Sequence, residues 1–182
     1  MDFNELNIIN DDGIFIKNNF FNKEIFEKLE TSFNNKDFDE IHQPLQIKYE
    51  NKYQAYPCYQ KNAEMEISNF IGNYFSLNLK NTFKLKTILR KTYSNELLKS
   101  VYNKKYGIIH KDNCYLAGVV YFDKTFNGGT AFYNEQTDKL SDIEVGAYPN
   151  RMILYKGNRL HSSCHDFSFK VRKILCFFIY NE

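Results

Sequence analysis

The feature that most constrains this chain is a run of short β-patterned segments beyond residue 82. FKLKTILRKTY, YGIIHKD, YLAGVVYF, GTAFY, RMILYKG and KILCFFIY follow one another, separated by Asn, Gly, Asp and Pro turn signals. Strands this short and this closely spaced pack as an antiparallel sandwich or barrel. The residues before them read differently. GIFIKNNF (13–20) is a short strand, and NKEIFEKLETSF (22–33) places Ile25, Phe26, Leu29 and Phe33 on one helical face behind Asn22 as N-cap. A second helix is expected from about Ala63 to Phe75, where Met65, Ile67, Phe70, Ile71 and Phe75 recur at helical spacing. Both stripes are read as packing surface. The chain has 182 residues, no repeat and no Pro/Ser-rich linker, so a single domain is expected. In it residues 1–82 form a strand-helix support and residues 83–182 the β core. Aromatic residues make up 17% of the chain with no Trp, which implies a core built on Phe and Tyr.

Charge and cysteine usage exclude several classes. The 24 basic and 22 acidic residues are scattered, a net charge of +2, with no stripe of the kind that tracks phosphate backbones or anionic lipid. Nucleic acid is therefore not an expected partner, and neither is a membrane, because no apolar run approaches the ~20 residues a spanning helix needs. Cys58, Cys114, Cys164 and Cys176 lie far apart with no CxxC pair, and MDFNELNIINDDG lacks an apolar signal core. Reduced thiols in the cytoplasm are the expectation.

The chemistry-bearing residues begin with His110-Lys111-Asp112. Side chains two apart on a strand share a face, so an imidazole and a carboxylate can converge on one metal ion. Two ligands hold a metal poorly, whereas two His and one carboxylate form the facial triad that leaves positions open on non-haem Fe(II). A third ligand has to come from a distant segment: His161 leads, His165 competes, and His42 lies in a loop-like IHQP stretch. Spacing favours His161, which leaves ten residues before Arg172 in which to finish one strand and enter the next, against six for His165. Arg172 is one of four arginines and falls within the apolar strand VRKILCFFIY. A guanidinium there is costly unless it meets an anion, for which its planar fork is suited. The other reading sets Arg172 at the strand's entrance, exposed or paired to an acid such as Asp166.

Taken in order, HKD at 110–112, LAGVVYF, NGGTAFY at 127–133, NRMILYKGNRLH at 150–161 and Arg172 in VRKILCFFI resemble the Fe(II)/2-oxoglutarate-dependent oxygenase superfamily. The pattern is similar to the prolyl 4-hydroxylase-like branch, and more closely to a small microbial and phage family, DUF6445. The likeness covers about residues 86–180 and extends weakly to GIFIKNNFF. It implies a double-stranded β-helix, a jelly-roll or cupin-like barrel with helices outside one sheet. It also implies that His110, Asp112 and His161 bind Fe(II) while Arg172 holds the distal carboxylate of 2-oxoglutarate, with O₂ as the third participant. Tyr102 and Thr130 are the hydroxyl candidates for a second 2-oxoglutarate contact. The implied reaction is hydroxylation of a C–H bond, or the demethylation that follows it, with release of succinate and CO₂; relatives that halogenate lack the carboxylate that Asp112 provides.

The remaining features have structural explanations. Asn127-Gly128 reads as a hairpin turn with Gly129 as a bulge. Asn150-Arg151 reads as the turn into RMILY. Tyr106 and Tyr121 are pocket-lining candidates for which packing is the preferred explanation, since the chain has fourteen tyrosines, and Cys114 and Cys164 are given no catalytic role. The polar, tyrosine-rich stretch 48–62 is a solvated loop or a lid over the site. The expected substrate is peptidyl or a small molecule. A cupin-type metal enzyme and a non-catalytic jelly-roll binding module are the rival readings.

Overall fold

The computed structural model describes residues 13–35, 37–49, 52–76, 82–93, 109–124, 128–134, 141–164 and 171–181. Their elements are, in order, β1 (Ile14–Lys17), α1 (Lys23–Ser32), β2 (Asp39–Tyr49), β3 (Lys52–Asn62), α2 (Met65–Ser76) and β4 (Phe83–Tyr93). There follow β5 (Leu116–Tyr121), β6 (Gly129–Phe132), β7 (Ile143–Gly146), β8 (Met152–Lys156), β9 (His161–Cys164) and β10 (Val171–Asn181). Seven strands form one sheet in the order β1-β8-β5-β10-β4-β3-β2, and three form a second, β7-β6-β9. All pairings are antiparallel. Two apposed antiparallel sheets with helices on one outer face make the double-stranded β-helix.

The central strand β10 shows why the layers stack as they do. Alternation sends Leu175, Phe177 and Ile179 into the core beneath the helices, and Ile174, Cys176 and Phe178 into the space between the sheets. The outer core is aromatic: Phe26 stacks on Phe122 with ring centroids 4.9 Å apart, and Phe75 leans on Phe177 at 5.4 Å. Helix α1 starts where expected, with the Asn22 side-chain oxygen accepting from the Ile25 N–H at 2.9 Å. Just beyond its end, the buried Lys91 ammonium donates to the carbonyls of Phe33 and Asn35, each at 3.2 Å, and lies 3.8 Å from the Phe38 ring centroid. Asn150, at φ 60, turns the chain into β8, and its amide bonds both backbone groups of Phe21, at 2.9 and 2.8 Å. The turn read from Asn150-Arg151 is thus also a clasp to the N-terminal segment.

Several expectations are corrected. IHQP and much of the 48–62 stretch form the hairpin β2–β3, which lengthens the large sheet rather than looping over it. Their letters alternate poorly in hydrophobicity, so the pattern gives no strand signal; the backbone pairing shows it, with β2 an edge and β3 meeting β4 over Cys58–Asn62. YGIIHKD shows no continuous strand where described: His110 makes a lone bridge to His161. The GGTAFY segment is not hairpin-paired to LAGVVYF either. β6 lies in the small sheet between β7 and β9, so the chain changes sheets between β5 and β6. Asn127 lies outside the described residues. At Gly129 a side chain would meet the Val145 carbonyl oxygen at 2.0 Å, so this glycine serves a close backbone approach between β6 and β7.

Candidate active site

His110, Asp112 and His161 come together although they lie on different pieces of chain. The backbones of His110 and His161 exchange two hydrogen bonds, 2.9 and 3.0 Å, which lock the two segments side by side. The Asp112 N–H donates to the Gly157 carbonyl at 2.8 Å, tying the carboxylate to the end of β8. That turn, rather than strand alternation, brings Asp112 to its place. Gly157 is required for it, since a Cβ there would lie 2.1 Å from the Cys114 carbonyl oxygen. One ligand atom from each of the three residues lies within 4.8 Å of the others. His161 Nε2 is 3.4 Å from Asp112 Oδ2, and His110 Nε2 is 3.8 Å from Asp112 Oδ1. His161 is buried, Asp112 mostly so, and the His110 side chain is half-exposed, which gives the cluster one face toward solvent.

The protonation of His161 follows from its surroundings. Burial and the neighbouring His110 hold its pKa down to about 4, against the opposing pull of Asp112 and the Arg159 carbonyl. The ring is therefore neutral at physiological pH. Its Nδ1 lies 2.9 Å from the Arg159 carbonyl, an acceptor, so Nδ1 carries the proton. The Nε2 lone pair then faces an Asp112 oxygen 3.4 Å away, so a cation between them can be held by both. Ligand bonds of ~2 Å put neighbouring donors of a six-coordinate ion about 3 Å apart; the two Asp112 contacts stand at 3.4 and 3.8 Å, and the whole set lies within 4.8 Å. The donor set fits a divalent metal ion.

Deeper between the sheets lies Arg172, on β10, 6% exposed. The inner face of β10 continues through Ile174 to Cys176, whose thiol, raised in pKa chiefly by burial, is influenced by Arg90, Arg172 and Asp112. Thr130 is buried, and its hydroxyl is 2.7 Å from that of Tyr121. Burial pushes the Tyr121 phenol up to about 12, opposed by Arg172 and by the Thr130 hydrogen bond, so it stays a neutral donor. Tyr155 supplies a wall: its ring centroid is 4.7 Å from that of His161 and 5.1 Å from that of Phe132. Sequence reasoning missed Tyr155, and the only signal was its place in RMILYKG. Tyr102, Tyr106, His165 and Asp166 lie outside the described residues, as does the His42 side chain; the His42 backbone pairs with Pro57 in the β2–β3 hairpin. Cys114 and Cys164 carry free thiols without a place in the cluster.

No protein-family model matches the chain, and no curated protein matches its sequence. Solved structures do. The prolyl hydroxylase of Trichoplax adhaerens, in complex with a hypoxia inducible factor oxygen degradation domain peptide fragment, aligns with a TM-score of 0.65 at 12% identity, over 97% of this chain and 87% of that one. A Pseudomonas putida prolyl-4-hydroxylase aligns at 0.65 and 9% identity, over 97% and 98%. HygX from Streptomyces hygroscopicus, with nickel and 2-oxoglutarate bound, aligns at 0.62 and 8% identity, over 100% and 87%. The chain therefore has, over nearly its whole length, the double-stranded β-helix fold of prolyl hydroxylases and 2-oxoglutarate-binding metalloproteins.

Proposed function

We propose that the protein is an Fe(II)- and 2-oxoglutarate-dependent dioxygenase that hydroxylates an unactivated C–H bond. The observation that carries this reading is the convergence of His110, Asp112 and His161 with a buried guanidinium, Arg172, further along the same inner face. In this reading His110, Asp112 and His161 hold the metal and leave three positions open. When bound, Fe(II) with 2-oxoglutarate supplies the oxidation of substrate by O₂, with release of succinate and CO₂. The protein's own part is to bind and orient. His161, neutral and fixed by the Arg159 carbonyl, presents Nε2. Arg172 receives the distal carboxylate, and the Tyr121–Thr130 hydroxyl pair lies on that side of the pocket as a further donor. Tyr155 keeps water from one side of the His161 ring.

A peptidyl or small-molecule substrate suits the balanced charge of the chain, and the half-exposed His110 marks the side from which it would enter. A cupin-type metal enzyme or a binding module has no comparable use for Arg172 inside the barrel. We further place the chain, on the residue resemblance, in the prolyl 4-hydroxylase-like branch near the DUF6445 proteins. We take it to be a single domain whose first 82 residues support the core, because β1 and the β2–β3 hairpin join the same sheet as β4, β5, β8 and β10. The free thiols of Cys114, Cys164 and Cys176 accord with a cytoplasmic setting; no described helix is long and apolar enough to cross a membrane.

The test is an anaerobic Fe(II) titration with and without 2-oxoglutarate. The weak visible metal-to-ligand charge-transfer band is expected only when both are present. Folded protein that never develops the band overturns the reading.

A further inference from the structure

Arg172 shares its inner face with a second guanidinium. The register of β4 with β10 pairs Thr92 with Arg172 and Arg90 with Ile174. Residues directly opposite in an antiparallel ladder project to the same side. Ile174 belongs to the core between the sheets, so Arg90 is directed there too, while its neighbour Leu89 packs beneath the helices. The same register makes Arg90 and Arg172 diagonal neighbours, with backbones roughly 7–8 Å apart, a gap that two long side chains span easily. The Nε atoms of both are buried. On the far side of β4, Gln60 of β3 pairs with Arg90 and continues a polar row across the inner face.

Two guanidinia that share one face of adjacent strands can serve a single carboxylate together, because each of its oxygens can accept from one fork.

We propose that Arg90 is a second cationic contact for the distal carboxylate of the cosubstrate, forming with Arg172 a two-arginine clamp that sets which 2-oxo acids the site accepts. The proposal rests on the oxygenase reading given above. A 2-oxo dicarboxylate offers its keto-acid end to the metal and its far carboxylate to the clamp. A 2-oxo monocarboxylate such as 2-oxobutyrate offers only the first. The clamp widens the affinity difference between the two beyond what one arginine supplies, and Arg90 contributes to that difference without touching the metal.

The experiment is anaerobic calorimetry on the Fe(II)-loaded full chain, titrating 2-oxoglutarate and, separately, 2-oxobutyrate into wild type, Arg90→Gln and Arg90→Lys. Arg90→Gln is expected to weaken 2-oxoglutarate binding on the order of 10–100-fold, the loss of one charged hydrogen-bonded contact, and to leave 2-oxobutyrate nearly unchanged. Arg90→Lys, which keeps the charge but not the fork, should fall between. The clamp is rejected if wild type and Arg90→Gln bind 2-oxoglutarate equally, or if the variant loses both acids in equal proportion. Should Arg90→Gln fail to fold, the Lys variant decides: an unchanged ratio of the two affinities rejects the clamp, and a reduced ratio supports it. Wild type that binds neither acid is a different result, which sinks the oxygenase reading itself and the clamp with it.

Discussion

The imidazole of His161 has its proton on the side of the Arg159 carbonyl, so its other nitrogen is committed to accepting. A buried acceptor beside a carboxylate is useful only to a cation, and the expected outcome of His161→Ala is loss of Fe(II) binding and of 2-oxoglutarate turnover. His165→Ala is expected to retain the metal; a metal titration of both variants checks the assignment, and an iron-free His165→Ala with an iron-replete His161→Ala would reverse it. Arg172→Ala should leave Fe(II) affinity nearly intact and weaken 2-oxoglutarate binding by about 2–5 kcal/mol, the cost of leaving a desolvated carboxylate without its charged partner. Arg172→Lys should lose less, and calorimetry that finds unchanged affinity in Arg172→Ala rejects the role. These residues were legible in the sequence because each is chemically out of place: a His-x-Asp among apolar letters, a His after RMILYKGNRL, an Arg inside VRKILCFFIY. Arg90 and Tyr155 were not. FKLKTILRKTY alternates charged with apolar letters on an unknown face, and only the pairing of Arg90 with Ile174 shows that this arginine points inward.

Among the elements, β5 and β10 depend on a missing side chain. Gly118 stands opposite Phe177, and a Cβ built there would lie 2.0 Å from the Phe177 ring, which is fully buried against Phe75. Gly118→Ala is therefore expected to destabilise by about 1–3 kcal/mol. A chain of this size then melts roughly 2–4 °C lower for each kcal/mol lost. Since the clash is on the helix side of the sheet, Fe(II) affinity measured below the melting range should not change; a melting temperature equal to wild type would show that the ring moves aside without cost. The two helices and the long strands β4 and β10 could be read from periodicity because each buries a full face in the aromatic core. The hairpin β2–β3 and the short strands β7 and β9 could not. HSSC and IEVG are too short and too polar to alternate visibly, and they become strands because β6 offers its backbone on both sides.

The molecule as a whole responds to alkali through its buried phenols. Tyr121, at about 12, and Tyr155, raised by burial and by Asp112, both favour the neutral form in the folded state. A raised acid pKa contributes stability that is fully present below the unfolded value of 10.0 and is lost as pH climbs through the folded one. For Tyr121 alone the contribution is on the order of 2–3 kcal/mol. Unfolding free energy should therefore fall steeply above pH 10, in step with tyrosinate absorbance. Tyr121→Phe should flatten that fall while costing about 1 kcal/mol at neutral pH through the lost Thr130 bond. Denaturant titrations at neutral and alkaline pH check both, and equal alkaline slopes in the two proteins would remove Tyr121 from the explanation. The sheet borders carry a different consequence. β1, β7 and β9 end their sheets with only four residues each, while β2 carries Pro44 next to a register shift before Lys48. A proline lacks the N–H that a docking strand needs, and a shifted register breaks the straight row of donors and acceptors. Among the described residues, neighbouring copies thus find no long, regular border to extend, which guards a barrel this rich in β-strand against zipping into aggregates at concentration.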